Sequence, residues 1–205
     1  MGIFSELSSK PWLESQRVLD DAHSGGTYAL PTVTVGLRIF VGVVTVVFTL
    51  LVTAYSERMS LSDWRPVPEP LLMWLNIIVL FAGSVAMQWA VNSARHGRTG
   101  NVEAGMLIGG ACALAFLAGQ IMVARQLAAL GYFVPTNPAL AFLYLLTALH
   151  GIHLLGGLVA LGRSVLRIWK GAEAQQIRTS VELCAFYWHF LLLIWLALFV
   201  WLVIT

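Results

Sequence analysis

The sequence predicts an all-α fold, a polytopic membrane protein built as a bundle of five transmembrane helices. Hydrophobic residues make up 59% of the 205 residues and charged residues only 11%, whereas a soluble domain is about half apolar and a quarter charged. The apolar residues form continuous runs of about 21–23 residues, enough for a helix to cross a hydrocarbon core of about 30 Å. Segments of alternating polarity, typical of outer-membrane barrels, are absent from the sequence. The five runs lie at about 35–55, 71–91, 104–124, 139–161 and 183–204.

The polar residues between these runs predict how the chain is arranged. Residues 1–34 are polar and mixed in charge, and we expect them to form a cytoplasmic N-terminal segment before a transmembrane domain at 35–205. The start lacks the basic, apolar and small-residue pattern of a cleaved signal peptide. The net charge of +2 contains no charge run that suggests a nucleic-acid partner.

Lysine and arginine predict the orientation, because they accumulate on the cytoplasmic side of membrane proteins. Eight of them lie on the side of the N-terminal segment and three on the opposite side. We therefore expect a cytoplasmic N-terminus and an external C-terminus. The eight are Lys10, Arg17, Arg95, Arg98, Arg163, Arg167, Lys170 and Arg178; the three are Arg58, Arg65 and Arg125.

Small residues in the third and fourth runs predict close contacts between helices. Gly105, Gly109 and Ala113 recur every four residues, so they lie on one face of the third helix. Gly151 and Gly157 belong to the fourth helix. Such faces allow two backbones to approach closely in lipid. We therefore expect these glycines to pack the helices into a compact bundle.

Ionisable residues in the fourth and fifth runs are the candidate functional residues, because such groups are costly at membrane depth. His150 and His153 are three residues apart and share one helix face. Glu182 and His189 are seven apart and share another. The two helices are joined by a short loop, which places His153 and His189 at similar depths, about 10–12 Å from the loop at 1.5 Å per residue. The pattern predicts a buried, hydrogen-bonded cluster of these four side chains.

Three interpretations of this cluster compete. Histidines on facing helices can bind a metal or haem, and intramembrane His and Glu can relay protons. The other helices supply no carboxylate at depth, which disfavours a proton path. We favour a structural and lipid-facing role, with no metal ligands. In that role Arg163 and Arg167 suit lipid phosphate, and Tyr187 and Trp188 suit the membrane interface.

Two motifs resemble subunit III of the haem–copper oxidases. They are LTALHGIHLLGG in the fourth helix and VELCAFYWHF, followed by a tryptophan, in the fifth. The second and third helices are also similar to the family. The resemblance covers about 35–205, and five helices fit the short bacterial form of the family. The matching residues are Asn76, Trp89, Gln120, His150, Gly151, His153, Gly157, Glu182, Tyr187, Trp188, His189, Phe190 and Trp195.

The resemblance implies a subunit without redox chemistry of its own. It would stabilise the catalytic subunit I of a respiratory terminal oxidase, which reduces oxygen to water and pumps protons. Haem and copper would lie in partner subunits, namely subunit I and a copper-binding or quinol-oxidase subunit II. This chain would bind phospholipid, no metal and no haem, and would lie in the bacterial cytoplasmic membrane with a periplasmic C-terminus.

Two departures from the family pattern remove acidic groups. The first helix, VVTVVFTLL, lacks the buried glutamate usual in the family, and Leu192 stands where an aspartate is common. Both argue against proton handling by this chain. Two alternatives stay open: a related subunit associated with nitric oxide reductase, and an independent bis-histidine membrane cytochrome b. A small transporter is disfavoured, because the sequence shows no inverted repeat.

Overall fold

A computed structural model describes residues 32–61, 64, 70–132, 138–171 and 174–204, with side chains omitted for 174–176. Within these ranges the secondary structure is five α-helices and no strand, and all five are long and apolar enough to cross a membrane. The predicted all-α, five-span fold is confirmed. The helices are α1 (Thr32–Met59), α2 (Leu71–Arg95), α3 (Thr99–Ala129), α4 (Pro138–Trp169) and α5 (Ala174–Ile204).

Most helices extend beyond the predicted apolar runs. For example, α3 covers Thr99–Ala129 rather than 104–124, because helical hydrogen bonding continues past the apolar part of a span. The predicted polar segment 1–34 lies outside the described residues, except for 32–34, which begin α1. The chain divides into two compact units within α1, between Arg38 and Ile39. The contacts described below all lie in the second unit.

Three helices end at a glycine in the left-handed region, where a residue with a Cβ would be strained. Gly97, Gly131 and Gly171 have φ angles of 69°, 84° and 74°. After α2, the amide of Arg98 donates to the carbonyl of Ser93 at 3.0 Å, which is the Schellman pattern. The result is a tight turn, 96–98, that returns the chain directly into α3.

Four of the helices form a closed ring. In it α2 packs against α3 and α5, and α4 packs against the same two helices. The largest fully buried side chains lie inside this ring, and each of its helices contributes some of them. They include Met87, Met106, Phe116, Leu127, Leu140, Leu146, Leu154, Leu191 and Trp195.

Glycines of α3 allow its backbone to lie against α2. A Cβ added at Gly105 would be 2.9 Å from the carbonyl oxygen of Ala86, and one at Gly109 would be 2.9 Å from the Met87 sulfur. Real side chains do not approach so closely. A larger residue at Gly105 would therefore push α2 and α3 apart, because its neighbour is backbone, whereas one at Gly109 would require the Met87 side chain to move.

The part of α1 from Ile39 onward contacts the ring through aromatic side chains. Phe48 stacks at an angle on His153 with ring centroids 5.7 Å apart, and Tyr55 meets Phe142 edge to face at 5.6 Å. Only Val44, Phe48 and Tyr55 are buried among the described residues of this helix. Most of the other residues from Ile39 to Thr53 are apolar and exposed or half-buried, as expected for a lipid-facing span.

Candidate functional site

His150 lies in the centre of the ring and is fully buried, with 0% exposure. Its imidazole is 4.9 Å from the Trp195 ring and 5.6 Å from the Phe116 ring, measured between centroids. These three rings come from α4, α5 and α3. Neither imidazole nitrogen has a hydrogen-bond partner among the described residues. His150 therefore acts here as an aromatic packing group.

His153 lies where α1, α4 and α5 meet. Its Nδ1 is 2.7 Å from the carbonyl oxygen of Leu149 one turn earlier, so this nitrogen carries the proton that it donates. The Tyr187 hydroxyl, on α5, donates to the carbonyl oxygen of His153 at 3.1 Å. The ring itself packs against Phe40 and Phe48 of α1. One residue thus connects three helices.

His189 has both ring nitrogens engaged by α2. Its Nδ1 is hydrogen-bonded to Ser84 Oγ, and its Nε2 is 3.1 Å from Gln88 Oε1. Since a carboxamide oxygen only accepts, Nε2 donates and, in the neutral ring, Nδ1 accepts from the serine hydroxyl. The Gln88 nitrogen in turn donates to Asn92 Oδ1 at 3.4 Å. A row of hydrogen bonds therefore runs from Ser84 to Asn92.

Glu182 lies near the end of the ring where α2 ends and α5 begins. Its Oε1 accepts from Arg95 Nε at 3.1 Å and from Arg178 Nε at 3.2 Å. These groups are between 35% and 52% exposed, a setting in which ion pairs contribute little to stability. At the same end Trp169 Nε1 donates to Glu103 at 2.8 Å and joins α4 to α3. We call this the basic end, because Arg163, Arg167 and Lys170 also lie there.

The four predicted polar residues are not joined to one another by hydrogen bonds in the described part of the chain. His150 is packed between aromatic rings, His153 bonds its own helix, and His189 and Glu182 bond residues of α2. The prediction considered α4 and α5 only, as neighbours joined by a loop. It missed the packing of α2 against α5, and with it the roles of Ser84 and Arg95. A signal was present, since the four polar residues Ser84, Gln88, Asn92 and Arg95 recur on one face of α2.

Tyr187 and Trp188 do not face lipid, contrary to the sequence-based expectation. They are 7% and 2% exposed. The reason is Gly157 on α4, where an added Cβ would be 3.1 Å from the Tyr187 ring and 3.3 Å from the Trp188 ring. At Gly151 the nearest group would be Leu117, at 3.4 Å, an ordinary contact. Arg163 and Arg167, by contrast, are exposed.

Metal ligands are not grouped in the described ranges: no three His, Cys, Asp or Glu side chains there are arranged to hold an ion. The polar residues instead form contacts between helices and one outward-facing row. This arrangement can position helices and bind a partner.

The sequence was compared with known families and curated proteins. The family model described as cytochrome c oxidase subunit III matches residues 32–204. Cytochrome c oxidase subunit 3 of Synechocystis sp. is 30% identical over 174 residues, which cover 80% of this chain and 72% of the relative. A probable cytochrome c oxidase subunit 3 of Mycobacterium tuberculosis is 29% identical over 140 residues, covering 67% and 69%. The mouse subunit is 28% identical over 141 residues, covering 69% of this chain and 52% of its own length. The match over almost all of the helical region agrees with the five-span fold and with the motifs of α4 and α5, and the chain therefore belongs to the cytochrome c oxidase subunit III family.

Proposed function

We propose that this chain is the non-redox accessory subunit of a respiratory haem–copper terminal oxidase. In the proposed complex, a catalytic subunit I and a copper-binding or quinol-oxidase subunit II hold the haem and copper, reduce oxygen to water and pump protons. This chain stabilises subunit I and binds phospholipid. The family match supports the proposal, since the relatives from Synechocystis and mouse are named cytochrome c oxidase subunit 3 and the one from Mycobacterium tuberculosis is named a probable one.

The observation that carries the accessory role is that the membrane histidines hold helices together, through hydrogen bonds at His189 and through ring packing at His150 and His153. His189 uses both ring nitrogens in bonds to Ser84 and Gln88. His153 uses one nitrogen on its own helix, and His150 is enclosed by aromatic rings. Histidines held in this way order the helices and support a scaffold rather than a redox centre.

The proposed location is the bacterial cytoplasmic membrane, with the basic end of the ring in the cytoplasm. That orientation places the N-terminus in the cytoplasm and the C-terminus in the periplasm. It rests on the distribution of lysine and arginine, which favour the cytoplasmic side. Arg98, Arg167 and Lys170 all lie at or beside turns of the basic end.

Lipid binding is proposed at the outer surface of α3 and α4. An open groove of about 390 Å³ runs between these helices and is lined mainly by apolar side chains, including Ile121, Ile152 and Leu155. Arg163 lies eleven residues after Ile152, on the same face of α4. It follows Leu155 by eight residues, or about 12 Å at 1.5 Å per residue. An acyl chain in the groove would therefore place its phosphate within reach of Arg163 and Arg167.

A pull-down of the tagged chain in mild detergent, with a visible spectrum and mass spectrometry of the eluate, tests the proposal. The untagged chain in the same strain is the control. We expect haem bands together with a large catalytic subunit and no haem on this chain when it is separated from the partner. A haem band without a partner would identify the bis-histidine cytochrome instead. A nitric oxide reductase as the partner would favour that alternative, and a colourless, solitary chain would overturn the oxidase assignment.

A further inference from the structure

One surface of the ring is polar where the others are apolar. Gln88 and Asn92 of α2 are exposed, and His189 of α5 beside them is half-buried. We call these three residues the polar strip. The outward faces of α3 and α4 carry apolar residues such as Leu114, Ile152 and Val159, which are 58%, 64% and 57% exposed. The polar strip is therefore an exception on a surface that otherwise suits lipid.

Two residues of the polar strip, Gln88 and His189, lie well inside the hydrocarbon region, whereas Asn92 is three residues before Arg95, about 4–5 Å from the basic end. Gln88 is seven residues before Arg95 at the end of α2, and His189 is seven residues after Glu182. At 1.5 Å per residue, each lies about 10 Å from the ion pairs of the basic end. A carboxamide is too short to reach the headgroups from that depth. The exposed side of Gln88 must therefore face either acyl chains or protein.

Acyl chains are a poor neighbour for this surface, because they accept no hydrogen bonds. Each carboxamide nitrogen carries two N–H donors. Gln88 uses its nitrogen in one long bond of 3.4 Å to Asn92, and the Asn92 carboxamide nitrogen donates to no residue in the described ranges. Leaving the second Gln88 donor unpaired in hydrocarbon costs several kcal/mol, and the Asn92 donors extend the same surface toward the basic end. The exposed threonines of α1 avoid this cost, since Thr45 and Thr49 each donate to a carbonyl of their own helix.

We propose that the polar strip is the docking surface for a transmembrane helix of a partner oxidase subunit. The partner helix presents hydrogen-bond acceptors, such as the oxygens of Ser, Thr, Asn or Gln side chains, to Gln88 and Asn92. Exposed apolar side chains on both sides of the strip, Val85 of α2 and Phe186 and Leu193 of α5, supply the packing contacts. Polar contacts of this kind hold helices together in membranes. This inference rests on the proposed function, because it requires a partner in the membrane.

Other occupants fit the surface less well. A lipid headgroup could approach Asn92, but to pair with Gln88 it would have to lie about 10 Å below the level of the arginines. Arg95 and Arg178, at the end of the strip, both already pair with Glu182. A second copy of this chain would offer apolar α3 or α4 surfaces, or another strip whose carboxamide oxygens already accept bonds from His189 and Gln88. A partner helix with acceptors is the occupant that the chemistry of the strip favours.

Photo-crosslinking in the intact membrane complex tests the docking surface. A photoreactive phenylalanine replaces Trp89, which is 41% exposed beside the strip, and in parallel replaces Leu114 or Val159 as controls on α3 and α4. We expect a crosslink from position 89 to another oxidase subunit and none to that subunit from the controls. Crosslinks to the partner from 114 or 159 only, or crosslinks from 89 only to lipid or to a second copy, would overturn the inference.

A pair of substitutions gives an independent measurement. Asn92→Leu removes the outer carboxamide while the bonds of His189 to Ser84 and Gln88 stay intact, and Gln126→Leu is the matched control, an exposed carboxamide near the end of α3. We expect Asn92→Leu to lower the amount of this chain retained per haem about 3- to 10-fold, the range for one interhelical hydrogen bond in a membrane. Full retention of the variant would contradict the proposal. If the unsubstituted chain copurifies with haem while these tests fail, only the docking surface is wrong. If it does not copurify, the proposed function fails first.

Discussion

The contact between α2 and α3 differs in kind from the contact between α1 and the ring. At Gly105 the backbone of α3 approaches the carbonyl oxygen of Ala86 so closely that a Cβ would be 2.9 Å away. The described contacts of α1 from Ile39 onward are made by side chains, chiefly Phe40, Phe48 and Tyr55. In lipid, helix association depends on close packing and hydrogen bonds rather than on the hydrophobic effect. We therefore expect the ring to behave as one rigid unit and α1 to separate from it more easily.

The cause of the difference can be read from the glycines. Gly105 and Gly109 face another helix, whereas a Cβ added at Gly42 of α1 would meet nothing within 4 Å among the described residues. Three threonines of α1, Thr45, Thr49 and Thr53, use their hydroxyls within the helix, where each donates to the carbonyl one turn earlier. Small and polar residues therefore join helices only where a group of the neighbouring helix comes within reach.

The largest expected effect is that of Trp195→Ala, in the centre of the ring. The substitution removes the ring that packs against both His150 and Phe116, and large-to-small changes of this kind cost about 3–5 kcal/mol. Unfolding of the chain in detergent, followed by tryptophan fluorescence or circular dichroism, measures the loss. Phe48→Ala on α1 is the comparison. Phe48→Ala should expose α1 to proteolysis while the ring keeps most of its stability. Equal losses of unfolding free energy in the two variants would contradict the distinction between a rigid ring and a more loosely held α1.

Gly105→Val should give the next largest effect. Its methyl groups would collide with Ala86 and Ala90 of α2, and overpacking costs about 1–3 kcal/mol. The matched control is Gly42→Val, the same change in a position open to lipid, with an expected effect within about 0.5 kcal/mol. Thermal unfolding of both variants in the same detergent measures the two changes in stability. A similar change in the two would show that α3 does not need its close approach to α2.

Tyr187→Phe should have a smaller effect. It removes the hydrogen bond from the tyrosine hydroxyl to the His153 carbonyl and keeps the ring against Gly157, so the expected cost is about 0.5–1.5 kcal/mol. Since His153 also contacts α1, the variant should also make α1 exchange its amide hydrogens faster. Unchanged exchange in α1 would mean that Tyr187 stabilises only the contact between α4 and α5.

Thr49→Val should have the smallest effect. The side chain is exposed and its hydroxyl bonds only its own helix, so the isosteric change should alter the free energy of unfolding by less than about 0.5 kcal/mol. The same unfolding assay measures it. A loss above 1 kcal/mol would contradict the exposed position of this side chain and show that its hydroxyl stabilises more than its own helix.

The five spans could be predicted from the sequence because each is a long apolar run, and lipid requires such runs to be helical. Which helices pack against each other could not be predicted in the same way. His189 was expected to meet residues of α4, the helix joined to α5 by a loop, but its partners Ser84 and Gln88 lie about 100 positions earlier in the chain. The closure of the ring decides that pairing, and no local pattern in α5 encodes it.

The same reasoning explains the aromatic residues. Tyr187 and Trp188 have the amphipathic character of interfacial groups, and the sequence alone favours lipid contact for them. The structure buries both because Gly157 on α4 leaves room for their rings. A residue type indicates what a side chain can do, whereas its burial depends on the size of the residue opposite.

The contact between α2 and α5 also has a consequence for biosynthesis. Ser84 and His189 are 105 positions apart, and at about 5–20 residues per second roughly 5–20 s pass between their synthesis. During that interval Ser84 and Gln88 are already within the membrane region of the nascent chain, without the imidazole that later binds them. The tight turn 96–98 lets α2 and α3 pair early, while the ring closes only when α5 enters the bilayer. Insertion of α5 therefore completes the polar strip, which makes the finished chain, rather than any earlier intermediate, the form that is ready for assembly.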